Sequence, residues 1–303
     1  MIGNRHLIKV LLLASLLSGA SAAVAKDAAR QSASQVGVGA QYDTTHVYVA
    51  PEDVDRFAAS FLATFGGQST KQVVATVTPT PSSTTSQLLQ TPVGTVSLFG
   101  FKTPIPYPFG AERTGYLVTD IDEAVEAAKE AGAGVLVATF PDPIGRDVVI
   151  QWPGAVNMQL YWHTTKPSYA PFETIPENRV YVSPEPADVF IRGFLRFSHG
   201  KVVSDDPLAS GAEIGRSKDT YRRVRIESVF GKMTVFVTDG HLPYPYGREL
   251  TGYEVRDLQG TLTKAKASGA AVLVEPYTSD GRAAAMIQFP GGYIAEVHAA
   301  ASK

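Results

Sequence analysis

The chain contains no cysteine. No disulfide supports the fold, and no thiol serves as nucleophile or metal ligand, so stability has to come from packing. Charge of one sign is lacking too: charged residues make up 18% and the formal net charge is −2. No basic run or aromatic-interleaved basic stripe occurs, which removes the electrostatic case for nucleic acid or an anionic membrane surface. No apolar run is long enough to span a bilayer. Also missing are a G-x-S-x-G elbow, a phosphate-binding glycine loop, an H-E-x-x-H helix and an EF-hand loop. What remains is a chain of 303 residues, 44% hydrophobic, long enough for two ordinary globular domains.

Residues 1–25 read as a signal peptide: Arg5, His6 and Lys9 precede the apolar run Val10–Leu17, and Ala23-Val24-Ala25 suits cleavage before Lys26. An uncleaved anchor is the alternative. Export predicts a secreted or periplasmic protein, free of the membrane after cleavage. Residues 26–41, rich in Ala, Ser, Gly and Gln, read as a flexible leader.

The remainder says one phrase twice. Ile105–Tyr116 is I-P-Y-P-F-G-A-E-R-T-G-Y and Leu242–Tyr253 is L-P-Y-P-Y-G-R-E-L-T-G-Y, an offset of 253 − 116 = 137 residues. The opening strands T-H-V-Y-V and N-R-V-Y-V lie 179 − 46 = 133 residues apart, so the second copy gains four residues around Asp205–Gly211. Self-similarity of this kind means two copies of one module, here 42–165 and 178–300, with 166–177 as a proline-containing linker. The repetition predicts a working space that both copies enclose.

Within a copy, polar and apolar residues alternate in Thr45–Val49, placing His46 and Tyr48 on one face of a strand. Val54, Phe57, Phe61, Leu62 and Phe65 recur at helical spacing, and Gly66-Gly67 ends the helix. The prolines of the repeated phrase forbid helix and central strand, so it is a loop that covers a cavity or plugs a barrel end. Asp120 followed by Glu123 caps a second helix with buried Ile121, Ala124, Val125 and Ala128. Three more strands follow. Each copy reads as two βαβββ-like units.

The order of elements resembles the vicinal oxygen chelate superfamily, the glyoxalase / bleomycin-resistance / dioxygenase fold. The opening T-H-V-Y-V, the segment T-G-Y-L-V-T-D-I-D-E-A and the closing P-G-G-Y-I-A-E-V carry that resemblance over residues 42–300. It implies an α+β protein whose tandem βαβββ units form curved mixed sheets around a cavity. It also implies a divalent metal (Zn, Mn, Ni or Fe), held at first- and last-strand positions. Those positions hold His46, Gln159, Arg179 and Glu296. The strand before the second helix offers Arg113 and Leu250. His46, Gln159 and Glu296 can each ligate a metal. Arg179, always charged, cannot, and it suits a bidentate contact with Glu296 or with a substrate carboxylate. The two-His, one-Glu dioxygenase pattern is not met.

Two functions follow from the resemblance. One is a glyoxalase-like lyase or isomerase acting on a small carbonyl or aromatic molecule, with Glu296 or His46 moving a proton. The other is a metal-free small-molecule binding protein, with a non-catalytic scaffold as a further alternative. Tyr48, Tyr181, Tyr107, Tyr244, His241 and Arg179 are the candidate substrate contacts in a monomer or homodimer. His298 shares a face with Glu296. Glu112 and Glu249 occupy matching places in the repeated loops, as proton acceptors or as staples to Arg113 and Arg248.

Overall fold

A computed structural model describes residues 35–301. The expected signal peptide, and the leader up to residue 34, lie outside those residues. Residues 36–41 are not free: Val36 is buried, Val38 N–H donates to the Leu117 carbonyl and Gln41 bonds to the main chain of Tyr169 and Phe172. The expectation of a flexible leader reaching residue 41 is corrected there, because Val36 supplies apolar area that packs better than it hydrates.

The first copy contains β1 (Thr44–Val49), α1 (Val54–Phe65), β2 (Gln68–Ser69), β3 (Val73–Ala75), β4 (Thr84–Thr91), β5 (Gly94–Phe101), β6 (Thr114–Leu117), α2 (Ile121–Glu130), β7 (Gly134–Asp142), β8 (Gly145–Trp152) and β9 (Val156–His163). Its strands form one sheet in the order β2-β4-β5-β1-β6-β9-β8-β7, with β3 also on β4. The second copy repeats this with β10 (Glu177–Val182), α3 (Pro184–Ser198), β11 (Lys201–Ser210), β12 (Thr220–Ser228), β13 (Gly231–Val237), β14 (Leu250–Glu254), α4 (Leu258–Ala267), β15 (Ala271–Ser279), β16 (Arg282–Gln288) and β17 (Ile294–Ala300). Its sheet runs β11-β12-β13-β10-β14-β17-β16-β15. In both, the middle strand pairs parallel on one side and antiparallel on the other. Tandem glyoxalase-like modules are thus the architecture, with one curved mixed sheet per copy.

Period-two alternation decides what each face does. In β9, Val156, Met158 and Leu160 enter a core, while Gln159 and Tyr161 face the other way, into a hollow. In β17, Ala295, Val297 and Ala299 enter a core and Glu296 faces away. The core-facing sides are helix-covered and are shared between copies. Trp152 of β8 packs against Phe190, Phe194 and Phe197 of α3. Phe57 and Phe61 of α1 meet Phe289 of the second copy. Truncating a buried aromatic of this kind costs roughly 3–5 kcal/mol.

That packing settles where the hollows are. The helix-bearing faces meet each other, so each sheet keeps its own concave face. Each copy thus has a chamber of its own on its concave face, in place of one chamber shared by both. Helix ends follow their local chemistry: Asp120 Oδ1 accepts from the N–H of Asp122 and Glu123 at 2.9 Å each, and Asp257 caps α4 through Gly260 N–H. Strand β4 runs against its local composition. Thr84–Thr91 begins inside a stretch that composition marks as a Pro/Ser/Thr loop, yet Thr84, Gln87 and Leu89 are buried by pairing with β5.

Candidate functional site

The chamber of the first copy is open, with a cavity of about 150 Å³. Thr44, His46 and Tyr48 reach it from β1, Ser97 and Phe99 from β5, Asp147 from β8, and Gln159 and Tyr161 from β9. Phe109, from the first repeated loop, turns inward and packs on Phe140. Tyr169 of the linker and His163 complete the mouth.

His46 is 2% exposed and is held on three sides. Its Nδ1 lies 3.3 Å from Glu112 Oε1, and its ring meets the Phe99 ring edge-on at 5.5 Å. On the third side is Gly115 of β6, where any Cβ would collide with Nε2 of the ring. Tyr48 donates its hydroxyl to the same Glu112 oxygen. Glu112 is fully buried, and its Oε2 has no partner among the described residues. The expected staple from Glu112 to Arg113 is not what this carboxylate makes: it joins His46 to Tyr48. Burial, then the Glu112 charge, holds the Tyr48 hydroxyl well above the usual phenol range. Across the chamber, Gln159 donates to Asp147 Oδ2 at 2.9 Å. Burial first, and Asp142 second, pushes the Asp147 carboxyl well above the usual carboxylate range.

The chamber of the second copy is filled. Arg179 stands at the position of His46 and is 5% exposed. Its Nη1 lies 2.9 Å from Glu177 Oε1 and 3.4 Å from Glu296 Oε1. Its guanidinium carbon sits 4.6 Å from the Phe236 ring centre. His298 Nδ1 approaches Glu296 Oε2 at 2.7 Å, and Arg282 reaches Glu177 at 3.1 Å. Burial opposes ionisation of Glu177, but Arg179, Arg282 and His298 pull it down to about 2. Glu296 is also lowered against burial, by Arg179 and His298. The turn Gly211–Ile214, which follows the longer β11, brings in Glu213, bonded to Arg223, to the Tyr221 hydroxyl at 2.7 Å and to Ser279 at 2.9 Å. The cavity left among these groups is about 10 Å³.

The sequence-derived site is therefore divided. His46, Gln159 and Tyr48 line the first chamber, whereas Arg179 and Glu296 line the second. Tyr181 stacks on Phe236 at 4.8 Å, and burial raises its hydroxyl to about 12. Tyr107 and Tyr244, at the tips of the repeated loops, are 74% and 61% exposed, and His241 points to solvent beside Asp239. These three do not line a chamber. A loop tip set by two prolines projects its ring outward, and the residue two positions on, Phe109 or Tyr246, turns in. Asp147 and Phe99 were not identified from the sequence. The signal was there: Asp147 is an acid beside Val148-Val149-Ile150, on the same strand face as the chamber.

The fold implies a metal, and the donors in each chamber decide whether one fits. In the second chamber the guanidinium of Arg179 already neutralises Glu296, and Leu250 offers no donor atom. In the first, the carboxylates near His46 and Gln159 are already engaged, Glu112 by His46 and Tyr48 and Asp147 by Gln159. Among the described residues no group of three His, Cys, Asp or Glu side chains is arranged to hold a metal ion. The residues present do not fit the metal.

No protein-family model and no curated protein matches the sequence. Solved structures do match in shape. A mutant of 4-hydroxymandelate synthase from Streptomyces coelicolor aligns over 89% of this chain and 93% of that chain, at 14% identity and a TM-score of 0.56. The 2,3-dioxygenase LapB from Pseudomonas sp. KL28 aligns over 88% and 94%, at 12% identity and 0.51. The Mn(II)-bound glyoxalase from Novosphingobium aromaticivorans aligns over 88% and 83%, at 14% identity and 0.50. Likeness at this identity establishes the fold alone, a tandem glyoxalase-like α+β architecture.

Proposed function

We propose that the first chamber binds a small monocyclic aromatic molecule bearing a hydroxyl or carbonyl group, without help from a metal. The observation that carries this is the contrast in free space at one position of one fold: about 150 Å³ around His46 against about 10 Å³ around Arg179. A cavity of roughly 150 Å³ accommodates a single benzene ring. Tyr48, Phe99, Phe109 and Tyr161 supply apolar ring surface, and His46 and the Asp147–Gln159 pair supply polar contacts at two places in the lining. Few directed polar groups in a mostly apolar hollow is the usual composition of a small-molecule site. The filled second chamber serves the fold rather than the ligand. On the strength of residues 1–25, this binding takes place outside the cytoplasm.

A catalytic reading rests on the His46–Glu112–Tyr48 chain. A histidine held by a carboxylate keeps a defined tautomer and can take a proton from a ligand hydroxyl or from carbon beside a carbonyl. Proton transfer would then be added to binding at the same place.

Phenol is a direct probe. Calorimetric titration of the mature protein should show one saturable site, and His46→Ala should weaken it by about tenfold, the loss of one hydrogen bond to a polar group. Binding that is unchanged in both His46→Ala and Phe99→Ala, or that requires added Mn, Ni, Fe or Zn, overturns the reading. Exchange of a carbonyl ligand's adjacent protons with deuterium, lost in His46→Gln, is the outcome that separates catalysis from binding.

A further inference from the structure

A second hollow, of about 90 Å³, opens where the two repeated loops approach one another. It lies outside both chambers and is built by both copies. Its walls are Arg113 of the first loop, Arg248 and Glu249 of the second, Tyr48, and Tyr293 beside Gly292 in the last turn. Nothing in the reading of the first chamber uses this place, although Tyr48 borders both.

Its charge is unusual for the molecule. Among the described residues, neither Arg113 nor Arg248 is taken up in an ion pair, a state they share with Arg192 and Arg196 of α3, whereas Arg179, Arg216, Arg222, Arg223 and Arg225 are all paired. Each instead lies over an aromatic ring, Arg113 at 6.0 Å from the Tyr48 centre and Arg248 at 5.2 Å from Tyr244. The repeat shows that this is no by-product of the duplicated loop. It puts Ala111 where the second copy has Arg248 (248 − 137 = 111), and Leu250 where the first has Arg113 (113 + 137 = 250). The matching junction therefore lacks the pair of guanidiniums. Two cations converging on a small hollow form a fork that suits a planar two-oxygen anion better than a point charge.

We propose that this cleft binds a small carboxylate, gripped by Arg113 and Arg248, with Glu249 in protonated form donating to one of its oxygens. The proton is what admits a carboxylate beside another carboxyl. Burial, the largest influence, raises Glu249 to about 7, and Glu112 raises it further, against bonds from Asn178 and Thr114 and the Arg113 charge. The groups facing it are Glu112 and Arg113 on the opposite loop and Tyr116 on β6, with Tyr48 and Tyr293 in the walls and Arg248 beside it. A ligand anion in the same place adds negative charge, so its binding draws a proton onto Glu249. Affinity therefore falls as pH rises past about 7, where Glu249 ionises and repels the ligand.

The test titrates the mature protein with sodium acetate, against sodium chloride at matched ionic strength and against inorganic phosphate, following the unfolding temperature and the heat of binding. A saturable acetate effect, weakened at least about tenfold in Arg113→Gln and in Arg248→Gln, is expected from the loss of one charge-assisted contact each. Arg248→Gln should still bind phenol as the wild type does, which separates this cleft from the first chamber. Glu249→Gln keeps the shape and supplies an independent measure: its acetate affinity should stay flat across neutral pH where that of the wild type declines. No saturable effect beyond chloride overturns the proposal, as does wild-type acetate affinity in both arginine variants. A wild-type pH slope in Glu249→Gln overturns the part given to its proton, and tighter binding of phosphate than of acetate overturns the carboxylate class.

Discussion

The two chambers occupy one position in one fold and have gone opposite ways. At the middle of the first stands an imidazole ring, His46, with room in front of it. At the middle of the second stands a permanent cation, Arg179, with Glu177, Glu296 and Arg282 closed around it. The exchange of one residue type does not explain this alone. The second copy also has the turn Gly211–Ile214, whose Glu213 ties Arg223, Tyr221 and Ser279 together over the same hollow. A buried guanidinium demands carboxylates, and carboxylates demand further donors, so filling proceeds as a network. The lesson is that one copy of a duplicated fold can stay open while the other is filled by an ion network, with both backbones alike.

The most severe way to break that contrast is Arg179→Met. It leaves Glu177 and Glu296 buried with their main partner gone, and removal of one member of a buried ion pair costs about 3–5 kcal/mol. Urea unfolding should register that loss, while phenol binding in the first chamber stays intact in whatever fraction remains folded. A variant as stable as the wild type would show that the network is held by Arg282 and His298 alone. Acid sharpens the same contrast. Glu177 is lowered to about 2 in the folded state from an ordinary value of 4.5, so its contribution is present above about 4.5 and is lost as pH falls toward 2. That shift corresponds to ~3 kcal/mol. Asp147 in the first chamber has the opposite sign: its folded value is raised, so it favours the folded state at low pH and weakens it as pH rises through that value. Asp147→Asn, which keeps an oxygen to accept from Gln159, should gain about 1–2 kcal/mol at alkaline pH and nothing in acid, read from unfolding curves at the two pH values.

Much of this was legible from residue order, and the part that was not has a physical cause. The repeated phrase and the T-H-V-Y-V and N-R-V-Y-V strands announce two modules, and alternation correctly groups His46 with Tyr48 and Glu296 with His298. Alternation says which side chains share a face. It does not say which face a second module covers. Trp152 and the phenylalanines of α3 decide that, by burying the helix-bearing sides against each other. Hence the ligand set drawn from His46, Gln159 and Glu296 mixes residues of two separate chambers. The roles of the loops were obscured for a similar reason. Tyr107 and Tyr244 look like the working aromatics by repetition, but repetition also preserves a turn, and the tip of a turn is solvated. Glu112 was recognisable as a repeated acid, whereas its bond to His46 joins residues 66 positions apart, which residue order does not show.

The gentlest test compares two glycines that the repeat makes equivalent, Gly115 and Gly252 (115 + 137 = 252). Each lies on the strand beside the central one, under the side chain that defines its chamber. A Cβ at Gly252 would come within 2.8 Å of Glu296 Oε2 and 3.1 Å of Arg179 Cδ. Those atoms are fixed by the ion network and have about 10 Å³ of free space to move into. Gly252→Ala should therefore act as overpacking and cost about 1–3 kcal/mol of stability. At Gly115 a Cβ would press on Nε2 of His46, the end of a side chain facing about 150 Å³ of open cavity. The ring can swing into that space at the expense of its contact with Glu112. Gly115→Ala should thus leave stability within about 1 kcal/mol of the wild type, and weaken phenol binding instead. One methyl group, placed twice, would then read out as lost stability in one copy and lost affinity in the other. Equal stability losses at both positions would mean that the first chamber is as rigidly filled as the second.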